Sequence, residues 1–365
     1  MSREADEVWR SRVRGSLLGG AIGDALGAPV EFESGRKILK KHPQLLRTFV
    51  SGGSGWPPGT VTDDTQMTLF TIEGLIRASV RNHRGLGLTL SPVHHAYDRW
   101  LDTQQRSAPS GERDGWLQGE QWLYARRAPG NTCLGALRGA RHGGPRITQY
   151  GVQAVNSSKG CGGVMRVAPF GLMPDSFGTD WVFDSATTAA GFTHGHPSGK
   201  LASGALAAII HRICGGETLD AALDTAAELL SRHEGHEETS AALAGARELA
   251  ALPPAQRPAS VEQLGGGWVA EEALAIAVYV SLAYPAPEQV LDALALSVTH
   301  SGDSDSTGAI CGNILGALHG EAALPAELAS TVEGRAVILQ LADDFVEEFS
   351  RTEPHPGFAK RYPSS

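Results

Sequence analysis

The chain has 365 residues, 41% of them hydrophobic and 19% charged, and a formal net charge of −9. That is enough apolar material for a large core, while the acidic balance excludes broad sliding along nucleic acid or an anionic membrane surface. The four cysteines, Cys133, Cys161, Cys214 and Cys311, form no Cys-x-x-Cys pair, which excludes a zinc ribbon or a disulfide framework.

In chain order, residues 7–26 set Val13, Leu17, Leu18, Ile22 and Leu26 at helical spacing. The same stretch carries Gly15, Gly19, Gly23 and Gly27, four residues apart. Glu31 follows. A carboxylate near a helix C-terminus opposes the macrodipole, which suggests a function, although a solvated loop glutamate is the plainer alternative. Thr60-Val61-Thr62-Asp63-Asp64-Thr65 then precedes a second helix over 67–80, with Leu69, Phe70, Ile72, Leu75 and Ile76 in period.

Residues 83–150 are richer in Pro, Gly, Arg and Gln and read as loops and short helices, a lid or partner surface. Ser157-Ser158-Lys159-Gly160-Cys161-Gly162-Gly163-Val164-Met165-Arg166 is a glycine-rich loop with two basic residues. Its backbone N–H groups suit a phosphate and its basic side chains could add charge, but such loops are usually only turns. Cys161 reads as a nucleophile or, more simply, as a small packed residue.

Helices are expected over 184–192, 199–214, 218–232, 238–250, 270–282, 287–298, 307–319 and 331–350. Thr193-His194-Gly195-His196-Pro197 leads into one of them, and His194 reads either as a ligand contact or as a structural histidine. His300 has the same two readings. Residues 251–268 form a second loop, and residues 351–365 a surface or disordered tail. No series of alternating strands occurs, so the fold class is all-α, with one domain over 8–350.

Ser301-Gly302-Asp303-Ser304-Asp305-Ser306-Thr307-Gly308 is the richest segment. With the Thr62 cluster it gives two groups of carboxylates and hydroxyls, each ahead of a helix. Asp, Ser and Thr in such places are ordinary N-caps. Capping needs one such residue per helix, however, and hard oxygen ligands grouped this way suit a pair of Mg²⁺ or Mn²⁺ ions. Gly308, Gly312, Gly316 and Gly320 repeat every four residues, as the first helix does. Two such faces packed together would bring Asp24, Glu31 and Asp303 into one region.

The chain resembles the ADP-ribosylglycohydrolase family, which includes the dinitrogenase reductase-activating glycohydrolases. The matching pieces keep the family's order: residues 19–27 through Glu31-Phe32, Thr62-Asp63-Asp64-Thr65, Lys159-Gly160 through Met165-Arg166, Thr193-His194 and Gly302-Asp303-Ser304-Asp305-Ser306. The resemblance implies a compact helical bundle with a two-metal centre at the floor of a cleft. It also implies that Thr62, Asp63, Asp64, Asp303, Asp305 and Ser306 are metal ligands. Glu31 matches an acidic residue of catalysis or metal bridging, and Glu31, Asp64 and Asp303 are the implied catalytic residues. Ser158, Lys159, Gly160, Cys161, Gly162 and Gly163 match the diphosphate-binding segment, and His194 a residue lining the ADP-ribose site.

Two departures stand out. Ser306 replaces a common threonine and keeps the ligand oxygen. Cys161 stands where asparagine or tyrosine is frequent, which bears on substrate preference. The implied activity is metal-dependent release of ADP-ribose from a modified protein, nucleic acid or small molecule. A hydrolase of a free ADP-ribose derivative and a non-enzymatic ADP-ribose sensor are the alternatives. The N-terminus lacks an apolar signal core, and the most apolar runs are too short to span a bilayer. A cytoplasmic protein with no membrane partner and no stable nucleic-acid partner is expected.

Overall fold

Two helices from opposite ends of the chain meet at the centre of the molecule. The computed structural model describes residues 3–52, 55–111, 114–253, 257–353 and 355–363. The helices that frame the site are α1 (Arg3–Gly27), α2 (Asp63–His83), α3 (Ser91–Gln105), α4 (Asn131–Ala140), α5 (Thr179–Gly191), α6 (Pro197–Cys214), α7 (Glu237–Ala250), α8 (Ala270–Ala283), α9 (Ser304–His319) and α10 (Arg335–Phe349). Among the described residues no strand forms, and only an isolated antiparallel bridge joins Gly160 to Val269. The all-α expectation holds. No described helix is long and apolar enough to cross a membrane.

Helices α1 and α9 pack along their length through the two glycine rows. A Cβ added at Gly15, Gly19 or Gly23 would fall on the carbonyl oxygen of Gly316, Gly312 or Gly308, and a Cβ at each of those would fall on its α1 partner. Each interior glycine costs about 1 kcal/mol of helix propensity relative to alanine. Backbone-to-backbone dispersion along the seam offsets that cost. The row ends where Gly27 abuts the backbone of Ser304, which sets the C-terminus of α1 beside the N-terminus of α9. Gly320 is the exception. It closes α9 from outside the helix, with φ at +79°, a conformation only glycine adopts freely.

Other helices wrap this pair. Arg10 and Arg14 of α1 reach Asp343 of α10 at 2.8 and 2.6 Å, α8 lies against α9, and α5 lies against α6. One apolar core runs from Trp9 to Tyr362.

Two regions refine the sequence reading. Within residues 83–150 lies α3, a 15-residue helix with Tyr97, Trp100 and Leu101 fully buried. Its charges are buried too: Arg99 pairs with Glu73 of α2 at 2.6 Å, and Arg141 takes Asp98 and Asp102. Inward-facing charges erase the apolar stripe by which a helix is recognised. The C-terminal tail lies on the surface, as one of its two readings has it, but two side chains anchor it. Phe358 and Tyr362 are buried, and the Tyr362 hydroxyl donates to Asp344 Oδ2 at 2.5 Å. Pro254 of the expected 251–268 loop and Pro354 of the tail lie outside the described residues.

Candidate metal centre and substrate cleft

A cleft of about 650 Å³ opens over the starts of α2 and α9. Both helices begin earlier than their apolar periodicity predicts, at Asp63 and Ser304, because the acidic clusters form the caps and first turns. Thr62 caps α2 and accepts from the Asp64 N–H at 3.4 Å. Asp303 caps α9 and accepts from the Ser306 N–H at 3.3 Å. Capping therefore occurs at both clusters, yet it leaves most of their carboxylate oxygens unused.

Asp24 of α1, fully buried, locks the first turn of α2 from beneath. It accepts from the Thr62 N–H and hydroxyl at 3.0 and 2.9 Å, and from the Thr65 N–H and hydroxyl at 3.1 and 2.5 Å. Burial pushes its carboxyl up to about 6, against the pull of those four donors. Asp63 and Asp64 then point into the cleft. Asp63 accepts from the Gly130 N–H at 3.4 Å, and Asp64 Oδ1 is buried with no hydrogen-bond partner among the described residues.

From the α9 side, Asp303 and Asp305 face Glu31. Each of the three offers a carboxylate oxygen within 4.8 Å of the other two. Burial first, then the Asp303, Asp63 and Asp24 charges, pushes Glu31 up to about 9. Burial and neighbouring carboxylates likewise hold Asp63, Asp64 and Asp305 well above the usual carboxylate range. No lysine or arginine pairs with any of these five acids among the described residues. Buried carboxylates that converge without a basic partner need a cation to be ionised together, and an all-oxygen set suits a hard divalent one. The Ser306 hydroxyl lines the same floor.

The glycine-rich loop forms one wall. Gly160, Cys161 and Gly162 line the cleft. The Cys161 N–H donates to the Trp268 carbonyl at 3.2 Å, which ties the loop to the segment before α8. The Cys161 thiol donates to Asp303 Oδ2 at 2.8 Å. Burial and that carboxylate raise the thiol well above its ordinary value, which favours its role as a donor to Asp303.

Several predicted residues lie off the cleft. Gly163 sits behind the loop, where a Cβ would meet the Gly199 carbonyl at 3.1 Å. Ser158 faces an adjoining cavity of about 620 Å³, with its hydroxyl 3.0 Å from that of Thr132. Lys159 turns its ammonium to Glu271 and Glu238, at 2.7 and 2.9 Å. Arg166 is buried beneath the loop, donates to the Thr193 hydroxyl at 2.6 Å and lies over the Tyr97 ring at 4.2 Å. The two basic residues expected to add charge to a phosphate instead brace the loop. Thr62 lies under the floor, and His300 sits behind α9, its Nε2 2.9 Å from the Thr307 hydroxyl.

His194 does line the cleft. Burial, then the Arg166 charge, brings it down to about 3, so the ring is neutral at physiological pH. Its Nδ1 lies 2.8 Å from the Thr193 hydroxyl. The cleft also gathers Phe32, Arg126, Asn131, Thr132 and Trp268, to which the sequence reading gave no role. Only adjacency to Glu31 and to Gly265-Gly266-Gly267 could have drawn notice to Phe32 and Trp268.

The profile of the family described as ADP-ribosylglycohydrolase matches residues 5–355. The chain is 25% identical over 320 residues to the ADP-ribosyl-[dinitrogen reductase] glycohydrolase of Rhodospirillum rubrum, covering 86% of this chain and 87% of that one. It is 26% identical over 310 residues to an uncharacterized protein of Archaeoglobus fulgidus, covering 84% and 87% of the two. Among solved structures, a chain of an ADP-ribosylglycohydrolase-related protein complex superposes with a TM-score of 0.62 at 22% identity. That match covers 94% of this chain and 99% of that one, and shows the shared fold.

Proposed function

The chain belongs to the ADP-ribosylglycohydrolase family, and on that premise we propose that it is a metal-dependent hydrolase that frees ADP-ribose from an acceptor nitrogen or oxygen. The observation that carries this reading is the cluster of five buried acids without a basic partner, Glu31, Asp63, Asp64, Asp303 and Asp305, at the floor of one cleft. Thr62, Asp63, Asp64, Asp303, Asp305 and Ser306 would hold two divalent cations, Mg²⁺ or Mn²⁺. When bound, such ions anchor ribose hydroxyls and lower the pKa of a coordinated water.

The protein's own groups do the rest. The bond from C1 of the distal ribose to the acceptor breaks with its electron pair leaving on the acceptor, and positive charge builds on the sugar. Water oxygen bonds to C1, and a proton passes to the acceptor. Glu31, which lines the cleft beside Asp303 and Asp305, is the proton carrier. Asp64 and Asp303 stabilise the developing charge. Neutral His194 orients substrate and transfers no proton. The backbone of residues 160–162 faces the diphosphate, and the adjoining cavity behind Asn131 and Thr132 receives the adenosine end.

The test is ADP-ribose release from arginine, serine, nucleic-acid and small-molecule linkages, each with Mg²⁺, Mn²⁺ or EDTA. Release that requires metal is expected. Release undiminished by EDTA would sink the metal-dependent reading. ADP-ribose binding with no release from any linkage would replace it with a sensor.

A further inference from the structure

The mouth of the cleft carries groups that hydrolysis does not use. Phe32 and Trp268 are 78% and 45% exposed, and their rings stack at 5.6 Å with 23° between planes. Large aromatic rings left open to water mark a binding surface. Both stand against the reacting groups: Phe32 follows Glu31, and the Trp268 carbonyl accepts from Cys161, whose thiol touches Asp303. The backbone before the indole is held in place. Glu272 Oε2 accepts from the Gly266 and Gly267 N–H groups at 3.0 and 3.2 Å, and a Cβ at Gly266 would press on the indole at 3.0 Å.

Arg126 supplies a second, independent observation. It is exposed, lines the same cleft and forms no ion pair among the described residues, although five carboxylates line that cleft with it. An unpaired guanidinium in the same cleft as a stacked ring pair is matched by a planar group that bears a phosphate.

Building on the hydrolase reading above, we propose that this mouth is the acceptor subsite and that it takes a nucleotide: Phe32 and Trp268 stack on the base, and Arg126 holds its phosphate. The preferred substrate is then an ADP-ribosylated nucleotide or single-stranded oligonucleotide. An ADP-ribosyl-arginine side chain lacks the phosphate, and Arg126 repels its charge. A subsite for one nucleotide is compatible with the net charge of −9, which disfavours a long track of phosphate contacts.

The experiment compares kcat/KM for an ADP-ribosyl-oligodeoxynucleotide, an ADP-ribosyl-mononucleotide and an ADP-ribosyl-arginine peptide. A nucleotide preference of roughly tenfold or more is expected, from the usual strength of base–aromatic stacking. W268A and F32A should each shrink that preference, and R126E should reverse it. Parity or arginine preference in the native protein overturns the proposal, as does a preference that persists in both W268A and F32A. A loss of free ADP-ribose affinity in R126Q as large as its loss on nucleotide substrates would assign Arg126 to the diphosphate and also overturn it.

Fluorescence anisotropy of a labelled unmodified oligodeoxynucleotide keeps the two readings apart. If no substrate turns over, binding that weakens in W268A upholds the nucleotide subsite while the hydrolase reading falls. Without turnover, an absence of Trp268-dependent binding overturns the subsite as well.

Discussion

Along the seam between α1 and α9, the facing glycines bring two backbones together with no side chain between them. Just past its end, five carboxylates meet with no basic side chain between them. The same two helices build both places. In the seam, energy comes from shape, and any added atom is a clash. In the cleft, shape is already satisfied and the unfavourable term is charge held away from water. The seam should therefore be intolerant of volume and indifferent to pH and metal, and the cleft the reverse.

The largest effect belongs to the seam. Gly312→Leu would drive a side chain into the Gly19 backbone, which has no rotamer by which to yield. Overpacking a core typically costs about 1–3 kcal/mol, and a backbone clash exceeds that. Soluble yield should collapse with or without Mn²⁺, and a normal melting curve would break the comparison at its first premise.

Next comes Asp303→Ala, which removes a cleft carboxylate and the cap of α9. A folded protein that has lost at least one metal equivalent and nearly all activity is expected, read by elemental analysis and ADP-ribose release. Full activity with unchanged metal content would contradict the ligand assignment.

Asp24→Asn should have a smaller effect than Asp303→Ala. It touches no substrate but accepts from both hydroxyls of the first turn of α2. Outer residues that orient ligands change metal affinity by roughly 10–100-fold. Calorimetric titration should show that loss in a protein that still folds, and unchanged metal affinity would reduce Asp24 to packing.

Smaller still is the pH dependence of the metal-free protein. Glu31 at about 9 and Asp24 at about 6 both lie above their ordinary values of 4.5 and 3.8. Raised carboxyl groups favour the folded state while protonated, and that stability is lost as pH rises through the folded values. The melting temperature of EDTA-treated protein should fall between pH 5 and 9, and saturating Mg²⁺ or Mn²⁺ should flatten the curve. A fall of equal size with metal present would place its origin elsewhere.

The smallest expected change is a gain. Glu31→Gln removes one of the crowded charges, so the metal-free protein at pH 9 should melt higher, by about 2 °C. Activity should fall in the same variant. A lower melting temperature at pH 9 would mean that Glu31 contributes a favourable contact in the folded state.

The chain's order by itself determined what depends on short-range periodicity. Spacing of apolar residues set most helices, four-residue glycine rows announced a close helix pair, and clustered Asp, Ser and Thr marked two special helix starts. These features are legible because helix geometry and capping act within one or two turns. Only the tertiary structure decided where long or polar side chains go. Lys159 and Arg166 look alike as bases in a glycine-rich loop, yet both brace it, while Arg126, in no motif at all, stands in the cleft. Helix α3 escaped notice because its charges point inward to partners on α2 and beyond α4. A flexible charged side chain can satisfy itself in many directions, and the choice among them is made by groups brought near from far along the chain.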